Sequence, residues 1–446
     1  MNIVIAGAGE VGTHLAKMLS QEDQDIVLID PDPKRLELAA MRTELLPLVC
    51  NPLSPSDLKQ AKVKDADLFI SVMPAEADNI LACILAARIG AKKTLARINN
   101  IEYLKPDMAQ YFRSMGINTM IYPELLAAHE IVSTIKNPWA REYVELFGGA
   151  LALVGVKVRE GAPIVGKFLH ELTQAEDKYY HVVAIKRDLE TIIPKGRTQI
   201  LHSDIVFFAT VPSRLDDIRK LAGKRNPPIR KVVIMGGSRI AIRSIEMIPR
   251  SIQISIIEQD KDKSMRISAS SPTNVKVYNG DGRDSDILRE VGLDQADVFI
   301  ALTENSETNV LACLGAKRFG VFKTIAKEEN IDYISLADRL DIGTLINKKL
   351  LAAGSIFHFF LGEDSSTVKC LTLANADVAE LVAHRNAPVT KGPVKTLDIP
   401  EGITFGGMVR NGVPQMIHGD TVIEPYDHVV VFCLNTPLNS LKEFFG

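Results

Sequence analysis

Short apolar runs of strand length alternate with stretches whose apolar positions recur every three to four residues. In the first 136 residues the runs fall near 2–6, 26–30, 46–50, 68–72, 94–98 and 117–121, and helical periodicity near 10–20, 33–42, 55–61, 78–89, 101–114 and 124–136. Alternation of this kind predicts an α/β fold, a doubly wound parallel sheet with helices on both faces. The pattern changes after residue 136. Residues 150–158, 180–186 and 204–209 read as strands set off by turns, with helical character at 167–172 and 212–221, as in a small α+β lobe.

The whole pattern then returns. Ile3-Val4-Ile5-Ala6-Gly7 aligns with Val232-Val233-Ile234-Met235-Gly236, and Ile26-Val27-Leu28-Ile29-Asp30 with Ile254-Ser255-Ile256-Ile257-Glu258. Ala66-Asp67-Leu68-Phe69-Ile70 aligns with Ala296-Asp297-Val298-Phe299-Ile300, and Asn79-Ile80-Leu81-Ala82-Cys83 with Asn309-Val310-Leu311-Ala312-Cys313. Four segments at a nearly constant separation of 228–230 residues define a tandem duplication. A weaker repeat, Gly196-Arg197-Thr198 with Asp204 against Gly419-Asp420-Thr421 with Asp427, carries it into the small lobes. The expected domains are therefore 1–136, 137–224, 229–355 and 356–446, with the polar segment Gly223-Lys224-Arg225-Asn226-Pro227-Pro228 as the linker between halves.

Composition narrows the function. The 446 residues are 46% apolar and 24% charged, with net charge −3, so no basic excess is present for a nucleic-acid backbone. The longest apolar stretches, 205–211 and 429–434, are far shorter than the roughly 18 residues that cross a bilayer. The chain starts on a strand-like run rather than a basic leader, and its five cysteines are scattered without C-x-x-C spacing. Both features lead us to expect a soluble cytoplasmic protein with reduced thiols and no metal site.

The chemistry concentrates at the first strand–helix turn of each half. Gly7, Ala8, Gly9, Glu10, Val11 and Gly12 form a complete G-x-G-x-x-G, answered by Asp30 at the end of the next strand. Gly7 makes the tight turn, Gly9 admits a pyrophosphate to the backbone, and Gly12 allows close helix–strand packing. The helix start favours an anion, and Asp30 accepts from ribose hydroxyls while repelling a 2′-phosphate. NAD(H), or an adenine nucleotide such as ATP or ADP, is the expected ligand; the alternative is a set of glycines kept for packing alone. In the second half Gly236, Gly237, Ser238, Arg239 and Ile240 are followed by Ala241, so the second and third glycines are lost while Glu258 holds the acidic position. Arg239 either contacts phosphate or is a solvated helix-start residue. Other loops diverge the opposite way: Gly280, Asp281 and Gly282 stand where the first half has Cys50-Asn51-Pro52, and Thr303 where it has Met73 and Pro74. Arg97 closes the fifth strand, toward the crevice at the strand carboxyl ends, with Lys327 as its counterpart; a phosphate or interface contact and a surface salt bridge are both open for it.

These segments, together with the I-V-G-K-x-L and I-I-P-K-G-x-T stretches of the first small lobe, resemble RCK (KTN) regulatory domains in the order found in the TrkA family of peripheral potassium-uptake subunits. The resemblance covers essentially the whole chain. It implies a cytoplasmic ring, a homo-oligomer built as a dimer or tetramer on the inner face of the membrane, that gates a TrkH-type translocator when nucleotides bind. By that resemblance the nucleotide contacts fall on residues 7–11, Asp30, Met73, Pro74 and Arg97, and on residues 236–240, Glu258, Gly280, Asp281 and Thr303. The absence of a glycine before Asp204 and before Asp427, where Ser203 and Tyr426 stand, departs from the family pattern.

A NAD-dependent dehydrogenase is the competing reading. It requires an acid–base group beside the substrate. His14, His129 and His181 are the histidines weighed for that role, and none has a repeated or paired partner in the sequence. The expectation is a binding protein rather than an enzyme. For self-association the apolar faces of helices near 124–136 and 345–353 are the candidates. The run Ile356-Phe357-His358-Phe359-Phe360-Leu361 is read as an interface, a lobe contact or ordinary burial.

Overall fold

The computed structural model describes all residues except 21–23, 42–43, 173–178, 189, 331–332, 335–339, 362–364, 372–373, 375 and 435–437. The first Rossmann-like lobe carries strands β1 (Asn2–Ala6), β2 (Asp25–Asp30), β3 (Leu46–Val49), β4 (Leu68–Ser71), β5 (Lys93–Arg97) and β6 (Thr119–Ile121). Its helices are α1 (Glu10–Ser20), α2 (Pro33–Ala40), α3 (Pro55–Gln60), α4 (Glu76–Ile89), α5 (Pro106–Ser114) and α6 (Pro123–Lys136). The sheet order is β3-β2-β1-β4-β5-β6, all parallel where pairs are recorded, with Val4 opposite Val27 on one side and Phe69 on the other. Helix starts follow from local chemistry. Asp32 and Ser54 accept from Lys34 and Asp57 backbone N–H groups at the starts of α2 and α3, each followed by a proline that the first turn tolerates. Val11, Gly12, Leu15, Ala16 and Leu19 place one buried stripe of α1 against the sheet.

One expected helix is divided. Residues 101–114 form a 3-10 turn, Ile101–Leu104, and then α5, because Pro106 holds Lys105 extended at ψ 143°.

The first small lobe contains β7 (Glu142–Leu146), β8 (Leu151–Lys157), α7 (Leu169–Leu172), β9 (Tyr180–Arg187), β10 (Glu190–Ile192), β11 (Ile205–Thr210) and α8 (Leu215–Leu221). Strands β7 and β10 escaped the sequence pattern: one begins on a mixed run, Glu-Tyr-Val-Glu-Leu, and the other has only three residues. The second Rossmann-like lobe repeats the first with β12 (Lys231–Met235), α9 (Arg239–Met247), β13 (Gln253–Glu258), α10 (Lys261–Ser270), β14 (Val275–Asn279), α11 (Ser285–Glu290), β15 (Val298–Ala301), α12 (Ser306–Arg318), β16 (Lys323–Lys327) and β17 (Thr344–Ile346), in the order β14-β13-β12-β15-β16-β17. Then come α13 (Lys348–Leu361), β18 (Ser365–Leu371), β19 (Ala376–Val382), β20 (Ile403–Arg410), β21 (Val413–Met416), β22 (His428–Cys433) and α14 (Leu438–Phe445). The two small-lobe sheets read β10-β9-β11-β8-β7 and β18-β19-β22-β20-β21, which is one order written from opposite edges.

The small-lobe repeat extends to single bonds. Arg187 holds Asp204 through Nε and Nη2 at 2.9 and 2.8 Å, and Arg410 holds Asp427 at 2.9 and 2.6 Å. Each aspartate is buried and also accepts a backbone N–H three residues back, from Leu201 or Glu424. Ser203 and Tyr426, the residues standing in for glycine, both take φ +71°, so the left-handed turn survives the substitution. The two lobes share one core, in which Phe207 packs with Phe432 and Val183 with Val430.

The chain divides into two compact units. One comprises Met1–Leu126, Lys348–Glu363 and Pro437–Asn439; the other holds Ala127–Asn347, Asp364–Thr436 and Ser440–Gly446. Helix α13, from the second half, thus belongs with the first Rossmann-like lobe, where it packs on α1. This alters two expectations. Residues 344–346 form a strand, so the helix expected at 345–353 starts at Lys348, and the boundary placed at 355/356 falls inside it, because the apolar periodicity of Leu350, Leu351, Ile356 and Phe357 runs on without a break. Ile356 and Phe357 are buried within the chain, while the side chains of His358, Phe360 and Leu361 lie outside the described residues. Among the described residues no helix is long and apolar enough to cross a membrane.

Candidate functional site

The first crevice lies at the carboxyl ends of β1, β2, β4 and β5. Gly7 leaves β1 at φ +106°, a conformation that disfavours any side chain. A Cβ on Gly12 would lie 1.9 Å from the Gly7 carbonyl oxygen, so α1 can approach the turn this closely only with glycine there. A Cβ on Gly9 would meet no atom within 4 Å. Packing explains Gly7 and Gly12; it does not explain Gly9, whose bare backbone faces open space suited to a pyrophosphate. Asp30 is buried at the end of β2, accepting from Ala8 N at 2.7 Å and Asp32 N at 2.9 Å. No cation among the described residues pairs with it, so its remaining lone pairs are available for ribose hydroxyls. Val11 is buried under the turn, and Glu10, exposed at the start of α1, forms an ion pair with Lys349 of α13.

Met73 and Pro74 follow β4. Asn79 secures this loop: its Oδ1 accepts from Met73 N at 2.7 Å and Ser71 Oγ at 2.8 Å, and its Nδ2 donates to the Met73 and Arg97 carbonyls, both at 2.9 Å. One buried amide therefore ties the ends of β4 and β5 beside the glycine turn, since a Cβ on Gly7 would meet Met73 N at 3.2 Å. Arg97 forms no ion pair with any described residue, and its Nε is buried without a hydrogen-bond partner. A surface salt bridge, one of the two readings of this residue, is not formed in the described structure. Next to it Glu76 Oε2 accepts from Asn99 N at 2.7 Å.

The second crevice keeps the backbone plan and fills it differently. Gly236 has φ +96°, and Gly237 N donates to Glu258 at 2.9 Å, the bond Ala8 makes to Asp30. Ser238 turns its hydroxyl onto the helix, accepting from Ala241 N as the cap of α9. Ile240 is buried, and Arg239 is exposed with no ion pair to a described residue. Glu258 is held by Lys263 Nζ at 2.9 Å and by Asp260 N at 3.0 Å. Burial works to raise its pKa, but Lys263 and the Asp260 and Gly237 N–H groups outweigh it, and the carboxyl sits below the ordinary glutamate value. Asp281 is clamped by Arg283 at 2.6 Å, which lowers its pKa, while Gly280 N donates to the Glu258 carbonyl at 3.0 Å. Thr303 meets Asn309 through N at 3.0 Å and Oγ1 at 2.7 Å, and Asn309 reaches the Lys327 carbonyl at 3.0 Å. Lys327, unlike Arg97, has a carboxylate partner, Glu329 at 3.1 Å.

The residues that sequence reading passed over are Asn79 and Asn309. Both were visible as part of a repeated helical motif at a separation of 230, but their role as anchors follows from polar side chains being buried at 1% and 0% exposure. Of the three histidines weighed for catalysis, His14 is pushed down by burial and then by Lys17. Burial, with His418 6.4 Å away, pushes His181 down to about 4. Neither belongs to the hydrogen-bond network of a crevice.

The residues present in the first crevice fit a dinucleotide or adenine nucleotide: an open backbone cradle, an acidic ribose acceptor and an unpaired guanidinium. Comparison with known proteins agrees with this architecture. The TrkA-N domain family matches residues 3–123 and again 232–348, and the TrkA-C domain family matches 153–223. The Trk system potassium uptake protein TrkA of Halomonas elongata is 30% identical over 442 residues, spanning 98% of this chain and 96% of that protein. The TrkA of Vibrio alginolyticus is also 30% identical with the same coverage, and a TrkA homologue of Archaeoglobus fulgidus is 28% identical over the full length of both. Among solved structures, the RCK domain of the GsuK channel superposes with TM-score 0.61 at 14% identity, covering 100% of this chain and 94% of that one. The GsuK channel bound to NAD gives TM-score 0.61 at 14% identity, covering 100% of this chain and 78% of that one, and shares the fold. With its duplicated Rossmann-like and small lobes matched from end to end, the chain belongs to the TrkA family.

Proposed function

We propose that this chain is a nucleotide-binding regulatory subunit of a potassium-uptake system, acting on the cytoplasmic face of the membrane on a TrkH-type translocator. The observation that carries the reading is the first crevice, where the open Gly9 cradle, Asp30 and Arg97, which has no ion pair among the described residues, offer binding groups for phosphate and ribose. NAD(H), ATP or ADP is the ligand class. Asp30 disfavours a 2′-phosphate, and Arg97 meets a phosphate oxygen. Binding, rather than turnover, is the proposed endpoint: the carboxylates of the two crevices are engaged by backbone N–H groups or cations, and neither His14 nor His181 joins either network among the described residues. Nucleotide states that differ in affinity for two shapes of a homo-oligomeric ring shift the pore between them. The pore's state then alters nucleotide affinity by the same factor.

Titration of the purified chain with NADH, ATP and ADP, followed by potassium flux after reconstitution with a TrkH-type partner, tests this. Nucleotide-dependent flux that Gly9→Val abolishes supports the proposal. Flux indifferent to the chain and to every nucleotide overturns it, and steady NADH oxidation with a small substrate would favour the dehydrogenase reading.

A further inference from the structure

Among residues that belong to neither crevice, the unit that contains the second Rossmann-like lobe gathers basic groups around Asp341. Arg141 precedes β7, Lys157 ends β8, Arg159 follows it, Lys224 lies in the linker after α8, and Lys317 is in the last turn of α12. Asp341 is approached by Arg141, by Arg159 Nη2 at 2.9 Å, by Lys317 Nζ at 3.2 Å and by Lys157 Nζ at 3.8 Å. Lys224, half-buried, lies within electrostatic reach of all four, and its Nζ makes no hydrogen bond or ion pair with a described residue. Beneath them the fully buried Lys323 donates to the Ala140 carbonyl at 2.6 Å, and Arg141 donates to the Gly343 carbonyl at 2.5 Å.

Four cations converge on Asp341, and a fifth, Lys224, stands beside them with no ion pair to a described residue. Like charges this close, partly removed from water, repel strongly. Elsewhere in the same unit one arginine answers one buried aspartate, Arg187 with Asp204 and Arg410 with Asp427, whereas here several cations crowd one carboxylate. What the arrangement fits is an anion of more than one charge: two guanidinium forks and three ammonium groups are the donors that phosphate oxygens take. We propose that this cluster binds a multiply charged phosphate-bearing anion, the di- or triphosphate group of a ligand, bridging the first small lobe, the linker and the second Rossmann-like lobe. The site shares no residue with either glycine turn, so its occupancy adds a further input to the chain.

The test uses the full chain carrying Gly9→Val, which closes the first crevice to pyrophosphate, and inorganic pyrophosphate as the probe in calorimetry and thermal unfolding. Pyrophosphate is expected to bind and raise the unfolding midpoint, and the added pair Arg159→Gln and Lys224→Gln to weaken binding at least tenfold. Without pyrophosphate, Lys224→Gln alone leaves the midpoint unchanged or raises it, because a repelled charge is removed. Lys157→Gln provides an independent variant, with a severalfold loss, if the pair folds poorly. Repeating the titration with ATP identifies the source: a parallel loss in the variants assigns a nucleotide triphosphate, and loss for pyrophosphate alone assigns an inorganic polyphosphate. Pyrophosphate affinity equal in all variants, or a lowered midpoint for Lys224→Gln in the ligand-free chain, overturns the proposal.

Discussion

The two Rossmann-like lobes descend from one pattern and differ in how they treat charge. In the first, among the described residues, Asp30 has only backbone donors and Arg97 has no carboxylate partner. In the second, three charged groups at the corresponding strand ends are answered from within: Glu258 by Lys263, Lys327 by Glu329 and Asp281 by Arg283. The amide anchor shows the same drift without loss. Ser71 in β4 bonds Asn79, whereas Ala301 stands at the corresponding place in β15 and Thr303 supplies the hydroxyl to Asn309. A fold tolerates exchange of one hydroxyl source for another, because the buried amide needs only a donor at the right distance. Ligand binding is less tolerant. A crevice whose charges are already neutralised must break ion pairs before it can offer them to phosphate, so the proposed nucleotide is expected to bind the first crevice more tightly than the second.

The largest effect expected from breaking this comparison comes from Gly12. Gly12→Ala forces a Cβ into the Gly7 carbonyl and should cost about 3 kcal/mol of stability in denaturant unfolding. Ala241→Gly, its mirror in the second lobe, should cost only about 0.5–1 kcal/mol through helix propensity. Equal costs would show that the two turns are packed alike.

A comparable effect separates the small lobes. His181 in β9 corresponds to Thr404 in β20 at the separation of 223 that relates Asp204 to Asp427. Its folded pKa of about 4 lies below the unfolded value of about 6.5, so its contribution is intact above pH 6.5 and is lost as pH falls toward 4. The loss is on the order of 3 kcal/mol. His181→Gln should flatten that part of the stability profile, and a profile unchanged by the substitution would remove this histidine from the account.

Nucleotide affinity tests the charge difference itself. Arg97→Ala should weaken NADH or ATP binding by about 1.5–3 kcal/mol, the range for hydrogen bonds to a charged group. Stability of the ligand-free chain should hold, since Arg97 has no ion pair with a described residue to lose. Lys327→Ala in the second lobe should do the reverse, lowering stability and leaving the main nucleotide affinity in place. Smallest of all, Lys263→Ala should change stability by a few tenths of a kcal/mol, because the lysine is 41% exposed and water screens the pair. The same substitution should raise the Glu258 pKa, readable by NMR titration.

How much of this was legible in the sequence depended on the kind of signal. Ile3–Gly7 and its repeat announced parallel strands because fully buried strands are continuous apolar runs. The glycine turn with Asp30 announced the crevice, and the structure adds that Gly9 alone has no packing reason to be glycine. Edge strands β7 and β10 were not legible, since a mixed or three-residue run leaves no periodicity to read. Nor was the allocation of α13: an apolar helix states that it must be buried, not which lobe will bury it. The pairing of Lys327 with Glu329, and the lack of an ion pair between Arg97 and any described residue, are also invisible in a sequence that places a basic residue at the same strand end in both halves.

The sequence by itself determined the duplication, through motifs that recur 228–230 residues apart, and the alternation of strands and helices and the residues of the first turn, which rest on spacing within a few tens of residues. Only the tertiary structure decided which charges are spent inside the protein and which remain for a ligand. Ion pairs depend on side chains brought within about 4 Å by folding. That distance bears no fixed relation to separation along the chain: Lys263 reaches Glu258 across five residues, whereas Arg159 meets Asp341 across 182.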